Sequence, residues 1–363
     1  MTALARLLAA RIKATGPISV ADYMAACLTH PEHGYYTSGR GIGAAGDFTT
    51  APEISQMFGE LTALALAQAW LDQGAPAPFA LAEAGPGRGT WMADALRATA
   101  RVPGFHAGAG LHQVEVSPAL RAAQAAALAG QPLAQTAQWH DVVEDLPRDR
   151  PLLLMANEFL DALPVRQFVR QTEGWSERQV GLAEDGTLRF GLSPPAPRPA
   201  LADREADTEP GGVVELAPAL PAVVGAIAGR IAQAGGLALL VDYGDWRSRG
   251  ETLQAVAGHA FADPLDAPGQ ADLTAQVDFE AVAKAARAAG AAVHGPVPQG
   301  AFLDRLGIGA RAEALARRLP EGPALENHRA ATRRLTHPGE MGSLFKVLAV
   351  TQPGAPAPPG VSS

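Results

Sequence analysis

Short apolar runs alternating with helical segments predict an α/β fold, a Rossmann-like sheet with helices on both faces. Three observations carry that expectation. Residues 79–83 form an apolar run that enters the turn Gly85-Pro86-Gly87-Arg88-Gly89 and then a helical stretch from about Trp91 to Thr99. Residues 151–157 and 237–243 are continuously apolar, as strands covered on both faces should be. Between the first two of these runs, residues 111–116 read as a second strand, and Pro118 opens an alanine-rich helix in the way proline often starts one.

Taken in chain order, Leu4, Leu7, Leu8 and Ile12 stand at helical spacing and predict a first helix. The first twenty residues are basic and free of acids (Arg6, Arg11, Lys13), superficially like a transit peptide, which would send the chain to the mitochondrial matrix. They run directly into Ile18-Ser19-Val20, so a structural helix is the reading adopted. Residues 1–75 form an N-terminal helical extension and cap, with a glycine-rich loop at 39–47 and a helix over 52–71. Residues 76–164 make the first half of the core, with a third strand near 133–139 and the fourth at 151–157. Residues 165–212 are an inserted hairpin and proline-rich loop, because Glu184-Asp185-Gly186 is a good turn between 179–182 and 188–190. Residues 213–352 complete the core, ending in a strand at 345–350, and 353–363 read as a disordered tail.

The bulk properties bound the function. The 363 residues, 47% hydrophobic and 18% charged, suit a globular protein. A net charge of −8 disfavours nucleic acid as partner and suits a basic one, such as an arginine-bearing protein segment. Cys27 is the single cysteine, so no internal disulfide forms and a reducing, cytoplasmic compartment is expected. No membrane span is expected, and the histidines show no metal spacing.

The turn narrows the ligand. Glycines at 85, 87 and 89 allow a sharp bend and a close ligand approach after a strand. In a nicotinamide dinucleotide (NAD) enzyme the turn would cradle a pyrophosphate, but Glu83 at the strand end repels phosphate and attracts an amino group. S-adenosylmethionine has an amino-acid end and no phosphate, so it is the expected cofactor. Glu115, ending the second strand beside Val116, is the expected partner for ribose hydroxyls. In open parallel sheets the working site lies beyond the carboxyl ends of the strands, where Asn157, Glu158 and Asp161 follow the fourth strand. Carboxylates there suit a guanidinium acceptor, which they hold by bidentate pairing. The plainer alternative is that Asn157 and Asp161 cap a following helix. An Asp-Pro-Pro-aromatic arrangement, expected of a nucleic-acid amino-methyltransferase, is absent.

With these pieces placed, the sequence resembles the MidA-like family, which includes the mitochondrial complex I assembly methyltransferase. The resemblance rests on His33-Gly34-Tyr35-Tyr36, the stretch from Gly46 to Ser55, Glu83 to Thr90, and Val114 to Pro118. It continues through Ala156 to Pro164, Glu177-Arg178, Val241-Asp242-Tyr243-Gly244, Val277-Asp278-Phe279 and Met341-Gly342. It implies a class I methyltransferase fold and symmetric dimethylation of an arginine in a complex I core subunit. Residues 46–50 are then expected to fold over the cofactor, with Asp47 a pocket candidate beside the catalytic candidates Asn157, Glu158 and Asp161. Thr49 and Thr50 join Glu83, Gly85, Pro86, Gly87, Gly89, Glu115 and Val116 as cofactor-binding candidates, although Thr50 also suits a helix cap. His140 and Trp139 could border the adenine, with core packing the better reading for Trp139, and His259 reads as structural. The rival readings are a cofactor-binding assembly protein without turnover, and an NAD-linked oxidoreductase.

Overall fold

The computed structural model describes residues 2–37 and 49–361. It divides into two compact units, one of residues 49–160, 221–246 and 277–363, the other of residues 1–48, 161–220 and 247–276.

The first unit is built on an eight-stranded sheet. In chain order its strands are β1 (Phe79–Ala84), β2 (Ala109–Val114), β3 (Gln138–His140), β4 (Leu152–Asn157), β5 (Gly236–Asp245), β6 (Val277–Asp278), β7 (Ala292–Pro298) and β8 (Phe345–Thr351). Across the sheet they run β3-β2-β1-β4-β5-β8-β7, with β6 beside the end of β5. β1 pairs in parallel with both β2 and β4, and β5 pairs in parallel with β4. β8 is antiparallel to β5 and β7. Strand order reverses between β1 and β4, so the carboxyl ends of these two strands flank the crevice such sheets use for ligands. β1 and β4 are apolar because both faces are covered: Leu81, Leu153, Met155, Leu237 and Leu239 are buried in one core with Trp91, Phe58 and Leu66. At the opposite end Trp70, Phe79 and Phe105 pack ring on ring, 4.9–5.4 Å apart.

Several expected boundaries move, each for a local reason. The helix expected over 52–71 is two helices, Ala51–Ile54 and Gln56–Asp72. Ser55 breaks them by adopting an extended backbone (φ −159°, ψ 134°), and its hydroxyl accepts from the Met57 N–H at 3.3 Å. The third strand shortens to Gln138–His140 because residues 134–136 make a tight helical turn. The expected tail does not dangle: Val361 is buried in the main core, and the Gly360 carbonyl accepts from Arg305. The stretch 1–75, expected as one extension, is split between the units, since its second half buries Phe58, Leu66 and Trp70 in the core beneath the large sheet.

In the second unit, helices Ala3–Thr15 and Val20–Thr29 bury Leu4, Leu8, Ile12, Tyr23 and Met24 against Val165, Val180, Leu253 and Leu273. The 165–212 insertion is a sheet in which Gly174–Leu182 pairs with Arg166–Gln171, Leu188–Leu192 and Ile18–Ser19. Gly186, at φ 82°, turns the hairpin expected from Glu184-Asp185-Gly186. A smaller sheet joins Gln254–Ala257 to Ala260–Ala262 and Asp272–Thr274.

Candidate functional site

The carboxyl ends of β1, β2 and β4 bring most of the expected residues together in the first unit. β1 delivers Glu83 to the glycine turn, where the Gly85 N–H donates to the Val114 carbonyl (3.1 Å) and the Gly89 N–H to that of Pro86 (2.8 Å). All three glycines have positive φ, 68°, 52° and 82°. Their surroundings differ. Gly85 and Gly87 are exposed whereas Pro86 and Gly89 are buried. A Cβ on Gly87 would meet nothing within 4 Å, while one on Gly89 would meet the Gln124 Cα at 3.1 Å. Gly87 therefore borders open space, and Gly89 is small so that the Pro118–Leu128 helix can approach.

Glu83 is buried, and burial pushes its carboxyl well above the ordinary carboxylate range, with the nearby Glu115 adding to the rise. A backbone hydrogen bond from Met92 opposes that rise, yet Oε2 is buried with no hydrogen-bond partner. Such an atom calls for a proton or a donor. Glu115 lies just past β2, with Oε1 accepting from the Ser117 N–H (2.8 Å) and Oε2 from Gln124 Nε2 (3.2 Å). Burial raises its carboxyl too. Val116 beside it is 45% exposed, an apolar side chain left open next to the acid.

Gln124 went unseen in the sequence reading. Its Nε2 also donates to the Gly87 carbonyl (2.8 Å), and its Oε1 accepts from Trp139 Nε1 (2.8 Å). Trp139 is half-buried and hydrogen-bonded, not a core residue as expected, because β3 is a short edge strand. His140 pairs with His112 at 3.0 Å, and burial pushes the His112 imidazole down to about 4. His259 lies in a hairpin turn of the second unit at φ 62°.

The end of β4 carries Asn157 and Glu158. No helix follows, so the capping alternative for Asn157 and Asp161 falls. Glu158 has a left-handed backbone, φ 52°, which is costly for a side chain with a Cβ. It is held by the donation of its N–H to the Val241 carbonyl (2.9 Å). Its Oε1 accepts from the Ala51 N–H (3.2 Å) and Asn157 Nδ2 (2.9 Å), while Oε2 has no partner among the described residues. Burial raises the Glu158 carboxyl to about 7; Glu53 adds to the rise, and the two hydrogen bonds and Arg334 oppose it. Asp242 on β5 fixes the loop by accepting from the Leu160 N–H at 2.9 Å.

Thr50 stands at the N-cap of Ala51–Ile54 but makes no side-chain capping bond, so the helix cap expected of it is not made. The Thr49 carbonyl accepts from Arg334 at 3.4 Å. Arg88 of the turn pairs with Glu53 at 2.6 Å, tying the turn to that short helix. Asp161 belongs to the second unit, where it is buried and its carbonyl accepts from the Ala275 N–H. Asp47 lies outside the described residues. Among the described residues, no group of three or more metal-ligating side chains could hold a metal ion, and no helix is long and apolar enough to cross a membrane.

Comparison with known proteins bears directly on this arrangement. Residues 61–297 match the family model of S-adenosyl-L-methionine-dependent methyltransferases. The chain is 40% identical, over 96% of its length and 84% of the relative's, to the mitochondrial protein arginine methyltransferase NDUFAF7 homolog of Drosophila melanogaster. To the mitochondrial protein arginine methyltransferase NDUFAF7 of Homo sapiens it is 36% identical over 96% of its length and 83% of that protein's. A candidate methyl transferase from Burkholderia thailandensis, crystallised with S-adenosyl-homocysteine, superposes with a TM-score of 0.83 at 32% identity, covering 99% of this chain and 93% of that one.

Proposed function

The chain belongs to this family of S-adenosyl-L-methionine-dependent methyltransferases, and on that premise we propose that it methylates an arginine side chain of a protein. The observation that carries the acceptor is Glu158, a carboxylate held on a strained backbone with one oxygen tied down and the other free.

In this reading the cofactor lies over the turn from Gly85 to Gly89. The buried, unpartnered Glu83 Oε2 fits its amino group, the open space at Gly87 fits its approach to the main chain, and Glu115 fits the ribose. Pro86 belongs to the turn and Val116 follows Glu115; Thr49 and Thr50 precede Ala51, whose N–H holds Glu158, and Gly89 serves the turn indirectly through helix packing. Bound there, S-adenosylmethionine supplies a methyl carbon activated by its sulfonium. Glu158 Oε2 receives an N–H of the acceptor guanidinium and orients it for in-line attack. Asn157 and the Ala51 N–H keep that carboxylate in place. With the cofactor bound, Glu158 would accept the proton that the acceptor nitrogen gives up on methylation.

The family match, with a relative bound to S-adenosyl-homocysteine, argues against the NAD-linked alternative. The family resemblance extends the reading to a symmetric dimethylarginine as product and a core subunit of respiratory complex I as substrate. The test is to incubate the protein with radiolabelled S-adenosylmethionine and that subunit and locate the label by mass spectrometry. Methylarginine in the subunit, lost in Glu158→Gln, is expected. Tight S-adenosylhomocysteine binding with no label on any candidate would favour the assembly protein without turnover.

A further inference from the structure

We infer that Gln124 is a positioning residue for the cofactor, holding the glycine turn, the ribose acid and the Trp139 indole in one arrangement. The inference rests on the reading that the cofactor lies over this turn.

Gln124 is fully buried in an alanine-rich helix. Burying a primary amide is costly unless its donors and acceptor are used. Here its three bonds go to separate parts of the candidate site: Gly87 O at 2.8 Å, Glu115 Oε2 at 3.2 Å and Trp139 Nε1 at 2.8 Å. Those partners come from the β1 turn, the end of β2 and β3; Arg121 and the His112–His140 pair also link β2 to β3, but among the described residues Gln124 alone ties both to the turn by side-chain hydrogen bonds. The Gly87 carbonyl matters most. Anchoring it sets the plane of the peptide that joins Gly87 to Arg88, at the one glycine of the three in this turn that borders open space. Holding Glu115 Oε2 leaves that carboxylate with a fixed face toward a ligand, and holding the indole fixes Trp139 on the edge strand.

Gly89 supports the same conclusion independently. A Cβ there would meet the Gln124 Cα at 3.1 Å and the Ala127 Cβ at 3.4 Å, so the turn is shaped to admit the helix at the level of Gln124. Leu120 and Leu128, one turn to either side, are the apolar contacts that such a helix needs for packing. An amide between them adds nothing to packing that a third apolar residue would not, and its value lies in what it holds.

The test measures S-adenosylhomocysteine affinity by calorimetry and the KM and kcat of methyl transfer in the full-length protein. Gln124→Met keeps the volume and removes all three bonds. It is expected to weaken affinity about tenfold or more and raise the cofactor KM, leaving kcat at saturating cofactor nearly unchanged. Gln124→Glu keeps the acceptor for Trp139 but loses the donors and sets a second carboxyl against Glu115. Its deficit, measured against the unaltered protein at each pH, is expected to shrink as pH falls from about 8 to 6, because the protonated carboxyl donates again. Should Gln124→Met fold poorly, Gln124→Glu carries the test alone. Unchanged affinity in the variants, or a Gln124→Glu deficit independent of pH, overturns the inference. Gly87→Val separates the two levels: if it still binds the cofactor normally, the placement of the cofactor fails and this inference with it. If Gly87→Val abolishes binding while the Gln124 variants bind normally, only the role of Gln124 falls.

Discussion

Glu158 shows how one residue can be strained, half-buried and still open. Its φ of 52° is a conformation usually left to glycine, and the β4–β5 pairing makes it affordable through the bond from its N–H to Val241. The geometry turns one carboxylate oxygen toward two fixed donors and leaves the other unpartnered. Burial lifts the carboxyl to about 7, so near neutrality only part of the population is ionised. A guanidinium acceptor needs the ionised form, both for pairing and for taking the proton. Methyl transfer at saturating cofactor is therefore expected to rise as pH increases through about 7. Glu158→Gln should keep S-adenosylhomocysteine affinity within about twofold yet lower kcat by about 100-fold or more, in the range for loss of a proton acceptor. Steady-state rates between pH 6 and 9 and a binding titration check both, and equal turnover in the variant would return the side chain to a structural role.

At the scale of elements, the two continuous apolar strands and the turn between β1 and its helix were plain in the sequence. Periodicity and burial on both faces leave little choice there. Less legible was whatever depends on contacts distant in sequence. The break at Ser55 comes from a single extended residue within an apolar pattern that reads as one helix. The left-handed Glu158 follows from pairing with Val241, far along the chain. Gln124 could have been found: with Leu120 and Leu128 it occupies every fourth position of one helix, which marks the lone polar residue as inward-facing. The glycines were recognised as a set but not told apart. Both Gly87 and Gly89 have positive φ, so alanine at either should cost about 1–2 kcal/mol of backbone strain. Only at Gly89 does the added Cβ also press on a helix. Urea unfolding of the ligand-free protein should therefore show Gly89→Ala to be the more destabilising of the two. Equal losses would mean that the helix yields freely and that Gly89 is not set by packing.

For the whole molecule, burying acids at one end of a sheet carries a cost that its cofactor can offset. Glu83, Glu115 and Glu158 all have carboxyls raised chiefly by burial, in a chain whose net charge is already −8. A folded-state value above the unfolded one contributes stability that is complete below the unfolded pKa and lost as pH rises through the folded one. For Glu158 the window runs from 4.5 to about 7. Unfolding midpoints of the ligand-free protein should accordingly fall less between pH 5 and 8 in Glu158→Gln than in the unaltered chain. On the proposed placement, cofactor binding reverses the balance at Glu83. An ammonium group placed at its unpartnered Oε2 favours the charged carboxylate, so a protonated Glu83 must release its proton as the cofactor binds. Affinity should then tighten with rising pH. Calorimetry near pH 6 in two buffers of different ionisation enthalpy should reveal net proton release, reduced in Glu83→Gln. No difference between the buffers would mean that Glu83 is already ionised in the free protein and that its unpartnered oxygen is satisfied by other means.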